Sequence, residues 1–349
     1  MGVSIIDIAA LAGVSKSTVS AVINNHPNVR PSTRERVLEA IRELDYHPNL
    51  AARELVASSP LNIGIIMPSY KSDLNSGDEK YFNKINESSN LELVSILAEQ
   101  VSHTKYGLLI EHTVVSDEAP SLPDFALSKR VAGIFQISPM HSKDYVGKLR
   151  QYVPAVVEIG APNPECDSVY SDFFDTVKNS VDYLVGFGHK RVAFINCDPA
   201  SRTFNDRLKG YLDGLKVNGL QFDDALVESS TFTGLGGYSA IKSIWNNAKF
   251  KPTALICASS TIACGALRFL HENKIYVPDD LSILCNSDGA LSEFAIPRLT
   301  TIARDKSEIA KEAFLLMMDR LGDPSLPARV VKVRDKVIER DSVRRISDI

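Results

Sequence analysis

The chain has 349 residues, 44% of them apolar, five cysteines and a formal charge of −4, which is enough material for two or three globular domains with cores of their own. It contains no apolar run of about 18 residues and opens without a basic, apolar, small-residue leader pattern, so membrane spanning and secretion are not expected and a cytoplasmic location is. Cys166, Cys197, Cys257, Cys264 and Cys285 form no CxxC pair, and their odd number suits buried free thiols in a reducing compartment.

Net charge gives no hint of nucleic acid, because six Lys/Arg balance six Asp/Glu within residues 1–60. The pattern of those residues does. Ser4, with Asp7 three residues later, predicts a capped helix carrying Ile5, Ile8, Ala9, Leu11 and Ala12, ended by Gly13. Ser15 can cap a second helix running to about Asn24, in which Val19, Val22 and Ile23 face a core. Lys16, Ser17, Ser20, Ala21 and Asn24 then share an outward face that is polar, short and nearly flat. A third helix opens with Pro31 and Ser32, with Glu35 completing a capping box, and buries Val37, Ile41 and Leu44. Three short helices in this arrangement make a helix-turn-helix unit. A flat polar face suits a recognition helix, which must enter a major groove about 12 Å wide and bring its N-terminal side chains to base edges. Helix N-termini and Ser, Thr and Asn side chains can hold phosphates without net positive charge. A small bundle whose polar face meets only water would show the same pattern.

Pro48 then breaks the chain, Asn49 can cap, and Leu50 to Ala57 can form two helical turns before Ser58, Ser59 and Pro60 act as a linker. So short a helix is marginal alone, which fits a hinge that folds on binding. Leu55, on the same helix as Ala52, could wedge between base steps in the minor groove.

Beyond residue 60 short apolar runs alternate with helical patterns, the signature of α/β architecture. "NIGIIM", "YGLLIEH", "VAGIFQI", "AVVEIG", "RVAFIN", "ALICAS", "SILCNS" and "LTTIA" are strand candidates. Helices are expected at 176–187, 206–217, 237–246, 262–272 and 307–321. Such sheets bind ligands beyond the carboxyl ends of their strands. "GFGHKR" (186–191) reads as a turn before a buried strand. "GLGGY" (234–238) lacks a Walker lysine and reads as a turn entering a helix. There is no GxSxG or HExxH, and the histidines have no metal spacing, so neither enzyme activity nor a metal or other cofactor is expected.

"IIDIAALAGVSKSTVSAVINN", "VRPSTRERVLEAIRELDYHPNLAARELV" and "IGIIMPS", followed in order by "RVAGIFQISP", "LVGFGHKRVAFI", "NDRLKGYLDGL", "PRLTTIARD" and "VIERDSV", resemble bacterial transcription regulators of the lactose-repressor (LacI) family. The resemblance implies an all-α helix-turn-helix headpiece plus an α/β core of two doubly wound, periplasmic-binding-protein-like subdomains. It implies a headpiece over 1–45, a hinge over 46–60, an N-terminal core subdomain over 61–159 plus 290–322, and a C-terminal one over 160–289 plus 323–349. The chain would cross between them near Gly160, Gly289 and Gly322, with an effector in the cleft. A homodimer on a palindromic double-stranded DNA operator is implied, with a repressor the expected form. No leucine heptad follows the last block to gather dimers into tetramers. On family positions Lys16, Ser17 and Ala21 would read bases, Ser15, Thr18, Asn24 and Thr33 would hold phosphates, and Ala52 and Leu55 would lie at the minor groove.

The chain departs from the family in two places. Between Met67 and Gly107 a longer, polar, turn-rich stretch replaces the usual loop and helix. In the cleft, Asn205, Ser259, Ser287 and Ile159 stand where sugar- and purine-binding relatives have Arg, Asn, Asp and Asp, although Phe232 keeps an aromatic. Ser69, Asn205, Phe232, Ser259, Ser260, Asn286 and Asp288 remain as candidate contacts for a small carbohydrate effector. Arg207 matches a second family arginine and is expected to pair structurally with a carboxylate. Control by a protein partner, with the cleft residues no longer used, is an alternative. A ligand-binding or catalytic protein with a vestigial headpiece is a further one. If Leu55 is the wedge, Leu55→Ala reduces the bend of bound operator DNA in a circular-permutation mobility assay; an unchanged bend removes that role.

Overall fold

The computed structural model describes residues 3–23, 27–46, 62–70, 88–115, 122–137, 144–199 and 203–346. The chain divides into two compact units, Met1–Leu61 and Asn62–Ile349.

In the first unit Ser4 donates from its backbone N–H and its hydroxyl to Asp7 Oδ2 at 2.8 and 2.7 Å, which starts α1 (Ile5–Ala12). Gly13 takes the left-handed conformation (φ +63°) that ends it. α2 (Lys16–Ile23) leaves α1 at 103°, within the range of helix-turn-helix pairs. α3 (Pro31–Glu43) closes a core of Ile8, Ala9, Ala12, Val19, Val22, Val37 and Ala40. The expected Ser32–Glu35 capping box is not the start of α3. Pro31, with fixed φ and no N–H to satisfy, takes the first helical position and moves the cap upstream to Arg30, which makes no side-chain cap bond.

The second unit holds two six-stranded sheets. The first contains β1 (Asn62–Tyr70), β2 (Gly107–Val115), β3 (Gly133–Ile137), β4 (Ala155–Ile159), β5 (Asp167–Tyr170) and β11 (Val330–Lys332), in the order β11-β5-β4-β3-β1-β2. The second contains β6 (Val192–Asn196), β7 (Val227–Ser229), β8 (Ala254–Cys257), β9 (Ser282–Cys285), β10 (Thr300–Arg304) and β12 (Asp335–Ile338), in the order β12-β10-β9-β8-β6-β7. Every pairing is parallel except β10 with β12. The connecting helices are α4 (Ser88–Ser102), α5 (Asp124–Leu127), α6 (Asp144–Tyr152), α7 (Phe173–Gly186), α8 (Phe204–Val217), α9 (Gly234–Asn247), α10 (Ser260–Glu272), α11 (Ala290–Glu293) and α12 (Lys306–Gly322). Apolar clusters include one that joins β1, β3 and β4 to α4 and α12, and one that joins β6, β8 and β9 to α9 and α10.

All eight candidate strands are present, but the crossing points are not where the glycines suggested. The chain passes between the sheets at Ser171–Asp172, at Asp305 and at Val333–Arg334. Gly160 only bends the chain within the first sheet, its N–H donating to Val169 O on β5 at 2.8 Å. Gly289 precedes α11 while the chain stays in the second sheet through β10, and Gly322 ends α12 before β11 rejoins the first sheet. The subdomains are therefore 62–170 with 306–332 and 173–304 with 335–346, in place of the expected 61–159 plus 290–322 and 160–289 plus 323–349. The polar stretch after Met67 also holds a helix, since Leu93, Val94, Leu97 and Val101 of α4 recur at helical spacing and are buried.

"GLGGY" is the first turn of α9 itself, with Thr233 Oγ1 accepting from Gly236 N at 3.0 Å. Its glycines serve close packing. A Cβ on Gly237 would lie 2.2 Å from Ile262 O, and one on Gly265 of α10 would lie 1.9 Å from Gly234 O. Because that neighbour is backbone, Gly265→Ala should lower stability by about 1–3 kcal/mol. Gly186→Ala, where nothing lies within 4 Å, is the control and should be neutral or stabilising. Urea midpoints of the two variants check this.

Candidate functional site

The surface of α2 follows from its core. With Val19 and Val22 buried, Ser15, Lys16 and Ser17 project outward, while Thr18, Ala21 and, on α3, Thr33 are half-buried. Ser15 Oγ accepts from Thr18 N at 3.2 Å and lies 2.8 Å from Ser17 Oγ and 2.9 Å from Thr18 Oγ1. The first turn of α2 thus carries three linked hydroxyls beside Lys16, which makes no ion pair among the described residues. Hydroxyls and a helix N-terminus can hold phosphate, and a lysine can reach guanine O6 and N7. Asn24, Ala52 and Leu55 lie outside the described residues.

The second candidate site is built at the carboxyl ends of the second sheet's strands, where the strand order reverses between β6 and β8 and a crevice is expected. Several residues expected to face a ligand there are taken up by the fold. Asn286 is buried, and its Nδ2 donates to Ser180 Oγ at 2.7 Å and Ile302 O at 3.3 Å. Asp288 Oδ1 accepts from Arg340 Nη1 at 2.8 Å and Thr301 Oγ1 at 3.2 Å. Ser259 Oγ caps α10 through Ile262 N at 3.3 Å, and Ser260 N donates to Ser287 Oγ at 3.0 Å. Phe232 packs half-buried against the α9–α10 cluster. Asn205 is exposed near the start of α8, and Ser69 sits on β1 opposite Val114 with its side chain outside the described residues.

The groups that do converge are others. Arg207, in α8, is only 5% exposed. Its guanidinium carbon sits 4.2 Å from the Phe173 ring centroid, and Nε donates to Thr203 Oγ1 at 3.3 Å. The carboxylate partner expected for Arg207 is not there: it makes no ion pair among the described residues, and its buried Nη1 has no acceptor. Stacking on Phe173 holds the guanidinium instead. Arg304, ending β10, lies 5.6 Å from the same ring. Asp335, opening β12, accepts from Thr176 Oγ1, while its buried Oδ1 has no partner. Burial raises the Asp335 carboxyl above its usual range, against the pull of Thr176 and of Arg304. Burial lowers both guanidinium pKa values, yet arginine stays charged at neutral pH. One sign of this site was legible: Arg207 falls on the same stripe as Gly210, Tyr211 and Gly214, all buried. A charge on a buried stripe needs a partner or a function.

Residues 4–49 match the family described as bacterial regulatory proteins, lacI family, and residues 181–343 match the periplasmic binding protein-like domain. The chain belongs to the LacI family of bacterial regulatory proteins, a helix-turn-helix region followed by a periplasmic-binding-protein-like effector domain. Among relatives, it is 26% identical to the HTH-type transcriptional repressor PurR of Mannheimia succiniciproducens, covering 98% of each chain. It is 27% identical to catabolite control protein A of Priestia megaterium, covering 99% of this chain and 100% of that one. The fold is also that of the lac repressor dimer bound to operator and the anti-inducer ONPF, at TM-score 0.78 and 22% identity, covering 99% of this chain and 100% of that one. A transcriptional regulator CelR–cellobiose complex matches at TM-score 0.66 and 23% identity, over 97% and 99% of the two chains.

Because Ser15 is the cap of α2, Ser15→Ala should destabilise that helix by about 1 kcal/mol. Amide hydrogen exchange within Thr18–Ile23 should accelerate about fivefold, and unchanged exchange would remove the cap.

Proposed function

We propose that the chain is a transcriptional repressor that binds a palindromic operator as a homodimer and is controlled by an effector in the crevice of its core. The observation that carries this reading is the exposed first turn of α2, with Ser15, Lys16 and Ser17 set on a closed three-helix core. Lys16, Ser17 and Ala21 read bases; Ser15, Thr18, Asn24 and Thr33 hold phosphates; Ala52 and Leu55 lie at the minor groove. Ala21 can contact only a thymine methyl, so discrimination leans on Lys16. The regulator works in the cytoplasm and catalyses no reaction. No single described helix is long and apolar enough to cross a membrane.

Dimerisation has its own support in an apolar patch after β9, where Leu291, Phe294 and Ile296 are exposed, the last two at 81% and 92%. Apolar side chains so exposed and so close together mark an interface.

Selection from a random DNA pool tests the reading by enriching a two-fold symmetric sequence, and a pool without symmetry overturns it. On that sequence Lys16→Ala should weaken binding about 10-fold or more while leaving affinity for random DNA nearly unchanged. Equal losses on both would assign Lys16 to phosphate.

A further inference from the structure

The groups in the crevice also say what chemistry fills it. Resting on the reading of the core as an effector domain, we propose that the effector is an anionic, hydroxylated small molecule, a sugar acid or sugar phosphate, whose charge is held by Arg207 and Arg304 beside Phe173.

The argument is a balance of charge and hydrogen bonds. Two guanidiniums lie within 6 Å of one ring, at 4.2 and 5.6 Å, and the carboxylate that acts on both is Asp335. The neighbouring carboxylates are committed elsewhere: Asp172 and Asp175 to Lys332 at 3.0 and 2.6 Å, and Asp305 to Lys336 at 2.6 Å. Asp198, in the loop after β6, has contacts of its own. Among the groups that act directly on the two guanidiniums, two positive charges thus meet one negative, with Arg207 held where water is largely excluded. The further negative charge of the Asp172–Asp175–Lys332 group stays with its own lysine. A planar, fixed fork of N–H donors with one donor unmet is matched by carboxylate or phosphate oxygens, which accept charge-assisted hydrogen bonds. A neutral polyol offers hydroxyl oxygens to Arg207 Nη1 but leaves the excess charge in place.

The opposite edge of the site asks for a donor. Asp335 Oδ1 is buried without a partner while Oδ2 is held by Thr176, so a ligand hydroxyl can donate to it. A molecule with an anionic group at one end and hydroxyls beyond it meets both needs.

The test uses the full chain at constant ionic strength, with calorimetry and thermal shift. The probes are D-glucose, D-galactose and cellobiose as neutral sugars, the glucuronate and galacturonate, the two 6-phosphates, and inorganic phosphate and acetate as bare anions. The expected result is that a uronate or a sugar phosphate binds at least tenfold more tightly than its neutral parent and than the bare anions. Arg207→Gln should lose that preference, with Arg207→Lys recovering part of it, and Arg304→Gln should do the same where the Arg207 variant does not fold. Uronates and phosphates separate the two sources of the anion. Neutral sugars binding as tightly as the anions, anion binding untouched by both glutamine variants, or no binding by any uronate or sugar phosphate overturns the proposal. Operator affinity is read in the same samples. A neutral sugar that shifts it leaves the regulator reading intact while removing the anionic class. An anion that binds without shifting it keeps the class and removes control by this site.

Discussion

The architecture of the core depends on three short chain crossings held side by side. Val333 N donates to Tyr170 O at 2.8 Å and Ser171 Oγ to Val333 O at 3.1 Å, so the first and third crossings are stitched together. Lys332 bridges to Asp172 and Asp175, and Asp305, which caps α12 through Glu308 N at 3.2 Å, pairs with Lys336. Crossings this short permit rotation of one subdomain on the other and little translation. Lys332 and Lys336 are roughly half exposed, and ion pairs in water contribute little each. Their value lies in keeping the three segments adjacent.

The crevice groups sit on that hinge by sequence as well as in space. Phe173 follows the first crossing directly, Arg304 precedes the second, and Asp335 is the first residue of β12 after the third. A ligand held by Arg304, Phe173 and Asp335 together would act on the ends of all three connections at once. Differential affinity for one rotational state then shifts the population of states without any longer pathway. Arg207 differs from its neighbours in coming from the middle of the second subdomain, on α8, whereas Phe173, Arg304 and Asp335 lie at that subdomain's borders with the crossings.

What could be read from the sequence follows a physical divide. Buried central strands such as β8, apolar along its whole length, and β4, apolar but for Glu158, were legible. β7, β11 and β12 are short edge strands with half-exposed faces, and β5 is a four-residue strand opening on Asp167; none carries enough apolar pattern to stand out. Glycine marked flexible positions, but Gly160 and Gly322 bend the chain within one subdomain, so they misplaced the crossings. The headpiece was legible because three amphipathic helices repeat one rule, except at Ser32, where Pro31 decided the cap. In the crevice, Arg207 was singled out but assigned a structural carboxylate partner that it does not have, and Asp335 was passed over because the groups around it, Thr176 and Arg304, are distant in sequence. The buried stripe of α8 was the physical sign that Arg207 needed a partner or a function.

The headpiece carries the opposite electrostatic design. Its basic and acidic residues balance, so the headpiece as a whole has little net charge to draw it to the duplex at long range. On the proposed reading, affinity comes from hydrogen bonds of the hydroxyl-rich first turn of α2 and from fit to the groove, terms that require exact register on the duplex. Its apolar core rests on seven small or medium side chains, a modest stabilisation for a unit of this size. A domain that is marginal alone and weakly attracted to DNA in general gains most from being held in pairs at fixed spacing, because the second contact is then intramolecular. On the proposed reading, the exposed patch of Leu291, Phe294 and Ile296 would serve operator recognition as much as Lys16 does, since without a dimer two weak readers cannot act together.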